Sequence, residues 1–200
     1  MRQKDLSRQN RWPLALLLLL LLAVPALAGC QHVIRPPASV GDPVRIYVVD
    51  YGRHASLALP AGDRRLVEWS WGDWNWFAKE RTGLASGFQA LFASPQSTLS
   101  RRELMAAEDA RELSWRLGAK EVLALDVERQ RADALMRKLE ARWRRNGPRV
   151  THADGRVFAP DDAAYGLFNN SVHELVRWLR ALGAEVSGSG VTANFVVRSH

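Results

Sequence analysis

The stretch RIYVVDYGRHASLAL, residues 45–59, predicts a β-hairpin that starts the folded domain. Its first part, Arg45–Val49, is rich in β-branched and aromatic residues, which favour strands. The pair Tyr51-Gly52 is a turn signal, and His54–Leu59 alternates small or polar residues with apolar ones. Two strands joined by a tight turn begin an antiparallel sheet, so the remaining segments are placed relative to this hairpin.

Segments that follow the hairpin predict three more strands, over Leu66–Trp71, Glu121–Leu125 and Val191–Val197. Helices are predicted between them. The first covers Thr98–Leu117, with Ser100 and Glu103 as a capping box; the second is capped by Asp126 and stopped at Asn146; the third runs from about Asn170 to Leu182 and ends at Gly183. This order predicts an α+β fold, with an antiparallel sheet packed against helices.

The first 29 residues have the pattern of a secretion signal. A basic stretch precedes an apolar run, Leu14–Val24, which is shorter than the roughly 20 apolar residues of a membrane-spanning helix. The run is followed by Leu27-Ala28-Gly29-Cys30, which resembles the lipobox of bacterial lipoproteins. The alternatives are an ordinary signal peptide and an uncleaved N-terminal anchor.

The lipobox resemblance implies that Cys30 is acylated, becomes the mature N-terminus and holds the protein on a lipid membrane. Gln31, where an Asp would favour retention, implies sorting to the outer membrane, facing the periplasm. Residues 30–43 contain three prolines and predict an extended tether, and residues 44–200 predict one α+β domain.

Composition and charge exclude several classes of protein. With 47% hydrophobic and 24% charged residues the chain is neither disordered nor collagen-like, and its one cysteine cannot form an internal disulfide. The net charge of +7 includes +3 from the first 29 residues, which leaves a modest +4 and argues against a nucleic-acid binder. The five histidines lack metal-ligand spacing, so neither a metal nor a cofactor is expected.

The segment Phe168–Leu175 contains the most informative polar residues. At helical spacing, Ser171 falls on the same apolar stripe as Val172 and Leu175, in the first turn, while His173 points elsewhere. A hydroxyl at this position lies near unpaired backbone N–H groups and the positive end of the helix dipole, as a nucleophile would. A helix-capping serine is the simpler interpretation.

The order of these motifs resembles the circularly permuted papain-like superfamily, which includes NlpC-like and lecithin-retinol-acyltransferase-like proteins. Asn170-Ser171-Val172-His173 is similar to its Asn-Cys-x-His motif, and Gly52-Arg53-His54 and the segment Glu68–Asp73 are similar to segments of an uncharacterised bacterial branch. The resemblance covers about residues 45–183.

The resemblance implies that His54 is the general base and that Ser171 takes the place of the cysteine nucleophile. It also implies that Glu68 or Ser70 orients the histidine. A serine hydroxyl is far less ionised than a thiol near neutral pH, which favours a binding or structural module that has lost thiol chemistry. The alternative is a serine hydrolase or acyltransferase acting on an amide or ester of the envelope, in peptidoglycan or lipid.

Two further features have a functional and a structural interpretation. Trp69 and Trp71 share one face of a predicted strand and would stack on a ligand, although tryptophans beside a turn also pack in cores. The arginine-rich segment Arg137–Arg145 is a solvated helix face, or a surface that contacts anionic lipid on an anchored protein.

Overall fold

A seven-stranded antiparallel sheet forms the centre of the computed structural model, which describes residues 31–52, 54–80, 96–145, 147–188 and 192–199. Its strand order is β6-β2-β3-β4-β5-β8-β7. The strands are β2 (Pro43–Asp50), β3 (Ala55–Pro60), β4 (Arg65–Asp73), β5 (Ser97–Met105), β6 (Glu121–Glu128), β7 (Val150–Thr151) and β8 (Val157–Asp161). The predicted hairpin is β2–β3, in which Val48 pairs with Leu57, and β4 continues the sheet as predicted.

Helices cover both faces of this sheet. Helix α1 (Ala110–Leu117) packs Leu113 against Tyr47 and Ala58 on one face. Helices α2 (Arg129–Arg145) and α3 (Ser171–Ala181) pack on the other face. The two sides are called the α1 face and the α2–α3 face below. Helices joined to a mainly antiparallel sheet define an α+β fold, as the sequence predicts.

The main core lies on the α2–α3 face. Apolar residues alternate along β3 and β4, so that Leu57, Val67 and Trp69 point to this face, where they meet Leu135 of α2 and Leu175 of α3. The helices present apolar residues at helical spacing, which gives each of them one buried side. The core therefore follows from the spacing of the apolar residues, which has a period of 2 residues in the strands and of 3.6 residues in the helices.

A second, three-stranded sheet joins the two ends of the described chain. Strand β1 (His32–Arg35) lies between β9 (Glu185–Ser187) and β10 (Phe195–Val197). Ile34 is fully buried in the main core. The expected tether over residues 30–43 is therefore corrected: pairing and burial of Ile34 bring β1 into the folded body, ahead of the boundary expected at residue 44.

Two element boundaries also differ from the sequence prediction. Residues Ser97–Met105 form β5 rather than the start of a helix, because they pair along the whole length of β4, and only the later part of the predicted segment is helical, as α1. Asp126 lies in β6, where its carboxylate accepts hydrogen bonds from Arg45 on the neighbouring strand, so α2 begins three residues later.

Candidate functional site

His54 lies on the α1 face of the large sheet, just before β3. Alternation along β3 puts Ala55 and Leu57 in the main core and leaves Ser56 on the opposite side, where His54 also lies. Its ring centroid is 4.9 Å from that of Phe77 and 6.2 Å from that of Tyr51.

Ser171 lies on the α2–α3 face, at the first position of α3. It is buried, as its place on the apolar stripe predicts, and the hydroxyl of Tyr165 interacts with its side chain and backbone. The Tyr165 ring packs against Trp71 at an interplanar angle of 39°, with centroids 5.4 Å apart, on the core side of the sheet. In the described part of the chain no hydrogen bond joins His54 to Ser171. The sheet separates the two residues that the papain-like resemblance brings together.

Asn170, rather than Ser171, caps α3. Its Oδ1 accepts hydrogen bonds from the backbone N–H of Val172 (3.0 Å) and of His173 (3.3 Å), and His173 Nδ1 lies 3.4 Å from the Asn170 backbone nitrogen, completing a capping box. These are the N–H groups that would stabilise an anion at the helix N-terminus. Because Asn170 already occupies them, this end of α3 is arranged as a stable cap.

Glu68 is the predicted orienting residue that lies near His54. It is almost completely buried on the α1 face and accepts hydrogen bonds from Tyr51 (2.7 Å), Ser56 (2.5 Å) and Arg102 (2.8 and 2.5 Å). Ser70, the alternative orienting residue, forms a hydrogen bond with Ser100, and the two hydroxyl oxygens are 2.5 Å apart. Glu68 is therefore the centre of a polar group on this face.

This group is called the Glu68 cluster below; its members are Tyr51, His54, Ser56, Glu68, Arg102 and Arg156. The Arg102 guanidinium also donates to the Tyr51 hydroxyl at 2.8 Å. Arg156 lies 3.8 Å from Glu68 and 5.0 Å from the centre of the Tyr51 ring. Two cations and two hydroxyls thus surround one buried carboxylate, which is the arrangement that a buried charge requires.

The electrostatics of the cluster fix the charge of each member. Burial opposes ionisation of Glu68, but Arg102 and Arg156 outweigh it and lower the pKa of the carboxyl. Burial and the nearby Arg156 lower the pKa of His54 to about 4, against the attraction of Glu68. Burial and Glu68 raise the pKa of Tyr51. At neutral pH the cluster therefore holds an anionic Glu68, a neutral His54 and a protonated Tyr51.

His54 is poorly suited to act as a general base. Its low pKa makes it a weak proton acceptor at neutral pH, where a catalytic base works best with a pKa near the operating pH. Its Nδ1 atom is buried without a hydrogen-bond partner in the described residues. A catalytic histidine is usually oriented by a hydrogen bond at one ring nitrogen, and this ring has none at Nδ1.

Trp69 and Trp71 are core residues. Both are buried on the α2–α3 face, and the indole N–H of Trp71 donates to Asp161 at 2.8 Å. The ligand-stacking interpretation is corrected, because neither ring has an exposed face.

Arg142 forms a second buried network, on the α2–α3 face. It donates two hydrogen bonds to Asp161 of β8 (2.8 and 2.5 Å) and pairs with Glu174 of α3. The indole N–H of Trp178 also donates to Glu174, at 3.0 Å. The two carboxylates already accept hydrogen bonds from arginine and indole donors and are not free to bind a ligand. The network therefore has a structural role, which is to connect three elements of the fold.

Sequence reasoning identified Glu68 and His54 but missed the cluster's arginines. Arg102 lies in the segment predicted as a helix, and Arg156 precedes a strand that was not predicted. Once β5 is aligned on β4, Arg102 falls directly opposite Glu68, and this cross-strand charge pair is the signal that would have found it.

Comparison with known protein families, curated proteins and solved structures finds no match for this chain. Cys30 lies outside the described residues, as does Arg53. None of the helices in the described ranges is long and apolar enough to cross a membrane. Within the same ranges no group of three His, Cys, Asp or Glu residues is arranged to hold a metal ion.

Proposed function

We propose that the protein is a bacterial envelope lipoprotein whose permuted papain-like domain is a non-catalytic binding or structural module. Acylated Cys30 holds it on the outer membrane, facing the periplasm. The separation of His54 from Ser171 by the sheet carries this proposal, because a serine nucleophile needs its base within about 3 Å.

The order of elements supports the papain-like part of the proposal. The hairpin that carries His54 comes early in the chain, the large sheet is antiparallel, and the helix that begins with Ser171 comes late. That helix packs on β3 and β4, the strands that carry or adjoin the other motif residues. The capped N-terminus of α3 and the low pKa of His54 support the loss of catalysis within such a domain.

A thiol placed at residue 171 tests the absence of catalytic chemistry. In Ser171→Cys we expect the thiol pKa to stay at or above the ordinary value of about 8.5, because burial disfavours a thiolate and His54 lies on the other face. The rate of thiol alkylation as a function of pH measures this pKa. The matched variant Ser171→Cys with His54→Ala should give the same profile.

A pKa well below 8.5 that rises when His54 is removed would contradict the proposal and favour the serine hydrolase or acyltransferase. Labelling of wild-type Ser171 by a fluorophosphonate, lost in His54→Ala, would do the same.

The lipid anchor is tested separately. Mass spectrometry of the mature N-terminal peptide should find acyl chains on Cys30, and Cys30→Ser should leave the precursor uncleaved. An unmodified N-terminus downstream of residue 30 would refute the anchor without affecting the conclusion about Ser171.

A further inference from the structure

Helix α2 presents a strongly basic surface on the side away from the core. Its buried side consists of Ala132, Leu135 and Leu139. Five cations lie exposed on the other side, in two rows at seven-residue spacing: Arg131, Lys138 and Arg145, and Arg137 and Arg144. This set is called the α2 basic surface below. Among the described residues only Arg144 of the five has an ion-pair partner, Glu140 at 3.6 Å.

The charge of the domain is unevenly distributed. Helices α2 and α3 together contain nine cationic and three acidic side chains, which is a net charge of +6. Residues 30–200 carry +4 in total, so everything outside these two helices carries −2. A polarised molecule of this kind is attracted to an anionic surface through one side.

The start of the folded chain lies on that same side. Ile34 of β1 is in the main core with Leu179 of α3, on the α2–α3 face. The chain is held in place from Gln31 onward, because the Gln31 carbonyl packs so closely on Gly188 that a side chain at Gly188 would overlap it. Arg180 donates to the Val186 carbonyl of β9 at 3.0 Å, which ties α3 to the same small sheet.

The anchor at Cys30 therefore leaves the folded domain little freedom to change its orientation relative to the membrane. Cys30 is bonded directly to Gln31, and consecutive Cα atoms are about 3.8 Å apart. With no flexible tether, a membrane that holds Cys30 also meets the surface nearest to β1. That surface includes the α2–α3 side of the molecule, which carries the positive charge.

We propose that the α2 basic surface binds the anionic phospholipid headgroups of the membrane that holds Cys30. The proposal rests on the lipid anchor of the proposed function. The exposed arginines and lysine match anionic phosphates in charge, and four of the five have no ion-pair partner among the described residues. Each cation near such a surface strengthens binding by roughly a factor of five. Acylation and basic residues together give the stable, oriented attachment that one acyl chain alone does not.

Cysteine accessibility on vesicles tests the proposal. The acylated mature protein, purified from membranes, is inserted into phosphatidylcholine vesicles with or without phosphatidylglycerol. Ala141→Cys places a thiol on the exposed side of α2, and Trp115→Cys places one on α1, on the opposite side of the sheet. We expect a water-soluble maleimide to react about tenfold more slowly at position 141 when phosphatidylglycerol is present, and at an unchanged rate at position 115.

Charge reversal provides the matched comparison. Arg137→Glu with Lys138→Glu should abolish the protection at position 141, whereas Arg64→Glu with Arg65→Glu, at the exposed start of β4, should leave it intact. High salt should also remove the protection, because it screens exposed charges.

Two failures are distinguishable. Equal reaction rates at position 141 on both kinds of vesicle, or protection at position 115 instead, overturn the binding by α2 while the anchor stands. Reaction of the maleimide with Cys30 in the otherwise unchanged protein shows that the cysteine is not acylated, which overturns the anchor and the present proposal together.

Discussion

At the scale of single residues, Glu68 holds the Glu68 cluster together. Its carboxylate is the shared acceptor for Tyr51, Ser56 and Arg102, and it is the negative charge that offsets two arginines. Removing that charge would weaken the interaction that each of these neighbours makes with Glu68. A buried pair of this kind adds little net stability compared with an apolar core, but breaking one side of it is costly.

Removing the charge of Glu68 should destabilise the domain strongly. Glu68→Gln leaves the buried Arg102 with only the more exposed Asp154, 3.5 Å away, as a counter-ion, so we expect the free energy of unfolding to fall by about 3 kcal/mol. Urea unfolding, followed by tryptophan fluorescence, measures the change. The control is Glu103→Gln, which removes an exposed partner of Arg101 and should cost less than about 1 kcal/mol. Similar losses of unfolding free energy in the two variants would show that the charge of Glu68 does not hold the cluster together.

Part of this site was predictable from the sequence. The resemblance pointed to His54 and to either Glu68 or Ser70, and His54 and Glu68 do lie on one face. The sequence could not predict that His54 and Ser171 lie on opposite faces of the sheet, because this depends on the side of the strand to which His54 belongs. That side changes with a shift of a single residue in the strand, and the turn before β3 decides it.

At the scale of elements, Arg142 connects α2 to β8 and to α3. The sequence predicts that Arg142 belongs to the arginine-rich exposed face of α2, and most of its neighbours in the chain are indeed exposed. In the structure its guanidinium is turned inward to two buried carboxylates, and this pairing raises the pKa of the arginine despite burial. One residue of a basic helix thus has a structural role that its neighbours do not share.

Substitution of Arg142 should separate these roles. Arg142→Leu leaves Asp161 buried without a cation among the described residues and leaves Glu174 with only the half-exposed Arg177, so we expect a loss of about 3–5 kcal/mol in the free energy of unfolding. Arg144→Leu, two positions away and largely exposed, should change it by less than about 0.5 kcal/mol. Thermal unfolding of both variants checks the contrast. Equal transition temperatures would mean that the buried pairs contribute nothing.

Strand β5 shows why one element was mistaken for another. Ser100 and Glu103 match a capping box, but Ser100 and Arg102 are buried polar residues paired with Ser70 and Glu68 on β4. A sequence shows alternation only when the inward-facing residues are apolar. Here polar residues point inward because each has a partner, and a partner on another strand is invisible in the sequence.

At the scale of the whole molecule, stability should fall in mild acid. The pKa of His54 is about 4 in the folded protein and about 6.5 when unfolded, so the unfolded chain binds the proton more readily. The free energy of unfolding should then fall as the pH falls from about 6.5, by up to about 1.4 kcal/mol per pH unit. His54→Gln should flatten this slope in urea unfolding measured between about pH 5 and pH 7.

Other titratable groups also contribute to the pH dependence of stability. His173, whose pKa is also lowered by burial and by Arg177, acts in the same direction, so His173→Gln is the companion variant. Glu68 and Asp161 have lowered pKa values and lose their contribution only at lower pH, below about 4.5. A slope that is unchanged in His54→Gln would show that His54 is not its source.

The position of β1 between β9 and β10 has a consequence for the order of assembly. His32 pairs with Phe195, 163 residues further along the chain, and Arg35 pairs with Glu185. A ribosome releases residues from the N-terminus first, so β1 emerges long before either partner strand exists. The segment nearest Cys30 is thus among the first to be made and among the last to find its place, and its two edges stay unpaired in the interval.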